Sequence, residues 1–426
     1  MTSSPATVPE TEEPRPGWRD RLAAALAHRN FRILWLAALG STIGTWMQSY
    51  AQSWLIFDLT NSNFYLGLDS FLGQLPILLF MLIGGVVADR HDRRRLLTGS
   101  QYVQAFSALT LAVLVATGYV TEATVWLIFM LSFLSGCGQA FGGPAYQAMI
   151  PSLVPRRDLP NAIALNSTQF NLSRVLGPVA GGAVLLWIGA VWCFTINGLS
   201  FFIVVIALTS LHLAPHVPNT KPRALAQELK SGLHYVRDTR AVLILTILAF
   251  VTTFLAMPIS TFFPSFATHV LTGSSTAAQR LWMLMASQGL GAIAGALLVA
   301  VLGPFKRMGR SLLTMQILLG IFVAAFAASR SLPLSLVLIF VCGACSMAVF
   351  SMSFSLVQMT IPDDLRGRVV SIYMVSLRGG WPLGALVAGA LADRFTAPVV
   401  MMTSAGLLSV IAAALLLRKE GTLSSI

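Results

Sequence analysis

Four ionisable side chains interrupt long apolar stretches of this sequence: Asp58, Asp69, Arg174 and Arg378. A charge at the centre of a lipid bilayer costs at least about 2.5–3.5 kcal/mol, so a charged residue in a membrane segment is a functional candidate by default. A carboxylate there can carry protons, and a guanidinium group can bind anions. These residues are the first candidates for chemistry if the apolar stretches cross a membrane.

The four charges have different roles in this reading. Asp69, early in the second apolar stretch, is the best candidate for a proton carrier, whereas Asp58 is nearer to the end of its stretch and is also explained as a solvated residue. Arg174 and Arg378 either bind an anionic substrate or pair with structural groups. We favour a structural role for one of these arginines and a role in substrate binding or proton coupling for the other, without deciding which arginine has which role.

The composition is that of a membrane protein. Of the 426 residues, 56% are hydrophobic and only 10% are charged, against roughly 25% charged residues in soluble domains. The net charge of +12 comes mainly from basic residues between apolar runs. This placement is better explained by the charge bias that orients membrane helices than by a nucleic-acid binding surface. The cysteines lie in apolar segments without metal-ligand spacing, and no phosphate-binding loop is found. We therefore expect no metal, no cofactor and no direct use of ATP.

The apolar runs predict an all-α membrane protein with twelve transmembrane helices in two six-helix bundles, because each run is long enough to cross a bilayer. No cleavable signal peptide is visible. The predicted spans cover residues 32–57, 64–88, 96–117, 123–148, 160–187 and 190–212, then 240–264, 280–302, 311–329, 334–360, 369–392 and 398–417.

Lysine and arginine are concentrated in alternate loops, and this bias predicts that both termini are cytoplasmic. The opposite loops hold only Arg280, Arg330 and Arg394. The predicted domains are a cytoplasmic disordered tail (1–30), an N-terminal bundle (31–212), a cytoplasmic linker with an amphipathic helix on the membrane surface (213–239), a C-terminal bundle (240–417) and a second cytoplasmic tail (418–426). This basic composition suits a bacterial inner membrane, and no nucleic-acid partner is expected.

Two segments in corresponding positions of the halves look alike. Arg174 is followed four residues later by Pro178, and Arg378 is followed four residues later by Pro382; small residues follow in both cases. Duplicated halves with interrupted helices at matching places are typical of secondary transporters.

The loop between spans two and three contains a glycine, an acid-arginine pair and a basic cluster, in the stretch Gly85 to Arg95. It resembles the signature loop of the major facilitator superfamily, with Asp92 in place of the second glycine, and the resemblance covers the whole chain. It implies a cytoplasmic latch in which Asp89 faces the start of span eleven. The latch candidates are Gly85, Asp89, Arg90, Arg93 and Arg94.

Two further glycine motifs are present. Gly177, Pro178, Gly181 and Gly182 resemble the fifth-helix motif of exporters in this superfamily, and we expect them to pack against glycines of span eight. The stretch Gly389 to Arg394 matches the core of the latch motif, but topology places it at the outer end of span eleven without a basic cluster. We do not expect this second copy to act as a latch.

Polar and aromatic side chains within the spans are candidates for a substrate cavity. They are Gln48, Gln52, Gln74, Asn166, Asn171 and Gln288, with aromatic walls from Trp46, Tyr50, Phe170 and Trp381. Hydrogen bonding between helices and packing against lipid explain each of them equally well.

Finer patterns resemble the branch that contains enterobactin exporters and macrolide-efflux proteins, among them Trp54 to Thr60 and Leu159 to Ala162. The resemblance implies a monomeric secondary exporter, working by alternating access on a small amphiphilic molecule (siderophore, macrolide or other drug-like compound) and coupled to protons. Span four lacks the arginine that many drug–proton antiporters carry there. The alternative is a lysophospholipid flippase or an importer on the same fold. A membrane enzyme or a receptor is disfavoured, since there is neither a cluster of catalytic residues nor a signalling domain.

Overall fold

The computed structural model describes residues 24–212, 225–303, 307–362 and 365–417, and this part of the chain is helical throughout, without a β-strand. A bilayer offers no hydrogen-bond partners to the backbone, so an apolar chain satisfies its amides and carbonyls within helices. Nine of the described helices are long and apolar enough to cross a membrane.

In the described residues of the first half, 24–212, there are six long helices. They are α1 (Arg29–Thr60), α2 (Asn63–Arg90), α3 (Arg93–Ala116), α4 (Trp126–Leu153), α5 (Leu159–Trp187) and α6 (Ala190–Ser210). Side-chain caps mark the starts of two of these helices. The Ser62 hydroxyl accepts from the amide of Tyr65 at the start of α2, and the Asp92 carboxylate accepts from the amides of Arg94 and Arg95 at the start of α3. Asp92 is therefore the cap of α3, at the position where the superfamily pattern has a glycine.

The second half follows a connecting helix, Leu225–Asp238. It contains α7 (Arg240–Leu255), α8 (Ala277–Leu302), α9 (Met308–Ala328), α10 (Leu332–Thr360), α11 (Arg366–Phe395) and α12 (Ala397–Leu417). The seventh predicted span, 240–264, is not one helix: α7 stops before Pro258, and short helical pieces continue to Val270. Prolines at 258 and 264 cannot donate to the preceding turn, which interrupts the helix.

The two halves repeat one pattern of helix pairing. In the first half α1 packs on α5 and α6, α2 packs on α4, and α3 packs on α4 and α6. In the second half α7 packs on α11 and α12, α8 packs on α10, and α9 packs on α10 and α12. Between the halves, α2 packs against α11 and α5 packs against α8. The predicted equivalence of spans five and eleven is matched by these contacts.

The connecting helix lies against the second half. Val236 is buried in the core around α7, α10 and α11, the Tyr235 hydroxyl donates to the carbonyl of Thr360 at 3.3 Å, and Gly232 faces the side chain of Arg368. Leu233 of the same helix is exposed. The linker residues 213–224 lie outside the described part of the chain, as do the predicted tails 1–23 and 418–426.

Arg280, assigned to a loop from the sequence, lies in the first turn of α8. Its side chain is 9% exposed and donates from Nε to the carbonyl of Ala267 at 2.8 Å and from Nη1 to the carbonyl of Ser275. It thereby joins the start of α8 to the segment that follows α7.

Candidate functional site

Asp69 of α2 is held by neutral hydrogen-bond donors. The Gln52 amide nitrogen of α1 lies 2.8 and 2.9 Å from the two carboxylate oxygens, and the Ser132 hydroxyl of α4 donates to Oδ1 at 2.6 Å. Among the described residues, its hydrogen-bond partners Gln52 and Ser132 carry no charge that would hold it permanently ionised. A carboxyl group in this setting can bind and release a proton while its neighbours reorient, since both glutamine and serine have an acceptor as well as a donor.

The hydrogen bonds continue across the first half. Gln52 approaches Gln48 at 3.5 Å, the Asn197 amide of α6 donates to Gln48 Oε1 at 2.7 Å, and the Ser200 hydroxyl donates to the Asn197 carbonyl at 2.7 Å. Two sequence-predicted cavity residues, Gln48 and Gln52, thus meet the predicted proton carrier in one network. Sequence reasoning missed Ser132 and Asn197, although a lone amide in an apolar span is a recognisable signal.

A cavity between the halves contains Arg174. Its walls come from α1, α5, α8 and α10 and from the end of α7: Tyr50, Arg174, Val175, Pro178, Met257, Met285, Gln288, Gly289, Ala292, Gly343, Ser346, Met347 and Phe350. Tyr50 and Gln288 were candidates from sequence, whereas the three methionines were not. Methionine is common in any membrane helix, so its type alone did not mark these positions.

Arg174 lies over an aromatic side chain. Its guanidinium carbon is 5.9 Å from the ring centroid of Trp46, which stacks on Tyr50 at 6.3 Å and meets the edge of Phe170 at 6.2 Å. A cation–π contact contributes about 0.5–2 kcal/mol, less than the roughly 2.5–3.5 kcal/mol that an arginine at the bilayer centre costs. The aromatic contact therefore offsets only part of the cost of placing this charge in the cavity.

The remaining candidates are dispersed. Asp58 on α1 and Arg378 on α11 are exposed side chains, and Gln74 is partly buried in α2. The Asn171 amide donates to the carbonyl of Ser167 within α5 at 2.9 Å, and the Trp381 indole donates to the Thr261 hydroxyl at 3.1 Å. None of these five lines the cavity around Arg174.

The exporter-like glycines face two helices, which corrects the expected packing. Gly177 and Gly181 lie against Trp46 and Met47 of α1, and only Gly182 faces α8, where it contacts Trp282. Residues 177 and 181 share a face because they are one turn apart, while 182 points to another side. The Trp282 indole donates to the carbonyl of Val179 at 3.0 Å and completes the α5–α8 contact.

The glycines of α8 are divided in the same way. Gly289 faces Val175 of α5, whereas Gly291 and Gly295 face Phe340 and Ala344 of α10. Only the first of these three expected partners therefore lies on the interface between the halves.

The described side chains of the latch motif, at the end of α2, form their contacts within the first half. Arg93 donates to the carbonyl of Ala148 of α4 at 2.7 Å, the amide of Arg94 donates to Asp92, and Arg90 is exposed. A Cβ on Gly85 would have no atom of another element within 4 Å. The Asp89 side chain lies outside the described part of the structure.

The second copy of the motif joins the halves. Asp393 of α11 accepts from the Ser62 hydroxyl at 2.6 Å and from the backbone amides of Asn63 and Phe64 at 2.7 and 3.2 Å. Gly389 permits this approach, since a Cβ there would lie 2.5 Å from the carbonyl of Asn63. We call Ser62, Asn63, Gly389 and Asp393 the clasp. A carboxylate at a helix N-terminus is stabilised by the exposed amides and the helix dipole, so this copy, which we expected to be idle, is structurally engaged.

Comparison with known proteins agrees with this architecture. The family model described as a transmembrane secretion effector matches residues 22–423. The multidrug efflux pump Tap of Mycolicibacterium fortuitum is 28% identical over 85% of this chain and 88% of its own length. Macrolide efflux protein A of Streptococcus pyogenes is 25% identical over 85% and 89%, and the enterobactin exporter EntS of Citrobacter koseri is 24% identical over 96% and 96%.

Solved structures share the fold at low identity. A bacterial homologue of the human lysosomal transporter Spinster, in an inward-facing and unoccupied conformation, aligns with a TM-score of 0.69 at 16% identity, over 93% of this chain and 96% of that one. A single-residue mutant of a peptide transporter in complex with sulfate aligns with a TM-score of 0.72 at 13% identity, over 96% of this chain and 99% of that one. The chain therefore belongs to the transmembrane secretion effector family, within the efflux branch of the major facilitator superfamily.

Proposed function

We propose that this chain is a proton-coupled secondary exporter of a small amphiphilic molecule, built from twelve spans in two six-helix bundles (31–212 and 240–417) and working by alternating access. Both termini and the linker 213–239 would face the cytoplasm of a bacterial inner membrane, in keeping with the basic loops. The repeated helix pairing supports the two-bundle arrangement, and α1, α2 and α11, of 32, 28 and 30 residues, would supply the spans beyond the nine.

The observation that carries the proposal is the distribution of contacts between the halves. The clasp joins α2 to the end of α11, and Trp282 with Gly289 joins α8 to the part of α5 from Val175 onward. At the opposite end, the described latch residues Arg93 and Arg94 form their hydrogen bonds within the first half. With the termini placed inside, we assign the contacts of the clasp and of α5 with α8 to the outer side, which corresponds to an inward-facing state.

Asp69 is the proposed coupling residue. Its network reaches α1, α2, α4 and α6 through Gln52, Ser132 and Asn197. Gain or loss of one proton changes which of these groups donate and which accept, so protonation would bias the packing of the bundle. Because span four supplies a serine rather than an arginine, the coupling would run through neutral hydrogen bonds.

The proposal is tested in inverted membrane vesicles. We expect uptake of one of three labelled probes (a macrolide, a catecholate siderophore or a lipophilic dye) that collapses when an uncoupler is added. A membrane potential of 100 mV supplies about 2.3 kcal/mol per charge moved, which supports a gradient of about fiftyfold. Movement of all probes only down their own gradients would replace the exporter proposal with a facilitator or flippase.

Asp69→Asn is expected to abolish this uphill accumulation while preserving exchange of substrate between the two sides. The amide keeps the shape and can still hydrogen-bond to Gln52 and Ser132, but it cannot titrate. The measurement is the accumulation ratio in vesicles beside the rate of counterflow. Glu122→Gln, at an exposed position between α3 and α4, is the matched carboxylate-to-amide control. Uncoupler-sensitive accumulation that survives Asp69→Asn would remove Asp69 from the coupling role.

A further inference from the structure

The cavity around Arg174 contains one positive side chain and no negative side chain among its described walls, which bears on the charge of its ligand. Arg174 is the one formally charged side chain among its described walls; the others are a phenol, an amide, a hydroxyl and apolar groups. Among the described residues, the guanidinium contacts the face of Trp46, and no salt bridge to it is found. An arginine has five N–H donors in a planar arrangement that matches a carboxylate, and in the described part of the chain they meet no anionic side chain.

The rest of the cavity lining is mostly apolar and flexible. Met257, Met285 and Met347 present flexible, polarisable thioethers, and Phe350 adds a ring. Thioethers adapt to ligands of different shape. Gln288 and Ser346 provide neutral hydrogen-bonding groups on the side of the second half.

We infer that Arg174, Tyr50 and the thioethers of Met257, Met285 and Met347 form a subsite for an anionic amphiphile, in which Arg174 binds an ionised acidic oxygen and the second half holds the apolar or aromatic body. This inference rests on the proposed export function and narrows its substrate class. The ligand head is bound from α5 and its body from α8 and α10, so a bound substrate touches both halves. A substrate with a basic amine in the same position would meet a like charge.

A set of probes with one shared body tests the inference. Pyrenebutyrate is an anion, its methyl ester is neutral and pyrenebutylamine is a cation. Binding of each to the full chain in lipid nanodiscs is measured by energy transfer from tryptophan, with empty nanodiscs as the blank. The wild-type chain is expected to bind the carboxylate about tenfold or more tightly than the ester, the gain of a charge-assisted hydrogen bond, and to bind the amine least.

Arg174→Gln should weaken binding of pyrenebutyrate by about 10- to 100-fold and should change binding of the ester by less than about threefold. Arg174→Lys keeps the charge but loses the planar array of N–H donors. Its affinity for pyrenebutyrate should lie between those of the wild-type chain and Arg174→Gln. Arg330→Gln removes the same charge from the exposed outer loop between α9 and α10 and should leave all three affinities unchanged.

Equal loss of carboxylate and ester binding in Arg174→Gln, with Arg174→Lys behaving in the same way, would overturn the inference, as would preference for the amine by the wild-type chain. Such results leave the exporter proposal intact if uncoupler-sensitive accumulation of a neutral or cationic probe persists in vesicles. Selective binding of pyrenebutyrate without uphill transport of any probe would instead support the subsite and remove the exporter proposal.

Discussion

The two ends of the α2–α11 pair carry similar sequence motifs and have different contacts. At the proposed outer end, Gly389 and Asp393 contact the start of α2 across the halves. At the proposed cytoplasmic end, Arg93 contacts α4 of its own half, and Arg368 of α11 donates to Ser231 of the connecting helix at 3.2 Å. The described residues of the two motifs therefore differ in their partners: Asp393 joins the halves, whereas Arg93 stabilises one of them.

This difference suggests how the two ends alternate. The clasp has four hydrogen bonds to one carboxylate, and each contributes only about 1.5–3 kcal/mol when charge-assisted. Such a contact can be broken when substrate or proton binding favours another state by a few kcal/mol. We expect the clasp to open when the cytoplasmic motif closes.

The largest effect should come from locking the clasp covalently. In a background without the native cysteines, Ser62→Cys with Asp393→Cys replaces a contact of 2.6 Å by a disulfide. Oxidation should stop transport almost completely because the outer end cannot open, and reduction should restore it. The measurement is vesicle uptake before and after reductant. Full transport by the oxidised, crosslinked protein would show that the clasp does not open during the cycle.

A smaller effect is expected when the clasp is weakened. Asp393→Asn keeps the shape but removes the charge that the α2 amides stabilise, so the closed outer state should lose about 1–2 kcal/mol, a shift of about 5- to 30-fold in population. Spin labels at Tyr119→Cys and Phe395→Cys, both exposed at the outer end, report this as a longer distance. Glu122→Gln is the control with the same chemical change nearby. An unchanged distance distribution would assign the outer closure to apolar packing alone.

The smallest effect on the outer end should come from Arg93→Gln. Its bond to the Ala148 carbonyl lies within the first half, so its loss should lower stability by about 1 kcal/mol and leave the outer distance unchanged. Thermal unfolding and the same pair of spin labels measure both. An outer distance that changes as much as in Asp393→Asn would mean that the cytoplasmic motif already governs this state, and the contrast between the two ends would be lost.

Much of the fold was readable from the sequence. The predicted spans 160–187 and 190–212 end close to α5 and α6, and the predicted equivalence of Arg174–Pro178 with Arg378–Pro382 matches the packing of α5 on α1 and of α11 on α7. The break after α7 at Pro258 was missed because an apolar run does not show whether its backbone stays in one helix. The surroundings of the two arginines were not readable either: one lines the cavity, while the other is exposed and apart from it.

The sequence by itself determined the helical segments and the family, because the length and apolarity of each run and the motifs in the loops are local properties of the chain. Only the tertiary structure decided which side chains meet. Gln52, Asp69 and Ser132 converge from three helices, Gly177 faces α1 rather than α8, and Asp393 reaches Ser62 from 331 positions along the chain. These contacts depend on how each helix is rotated about its axis and on which partner it packs against. Neither the rotation nor the partner can be predicted from a local sequence pattern, because the facing residues are far apart in sequence.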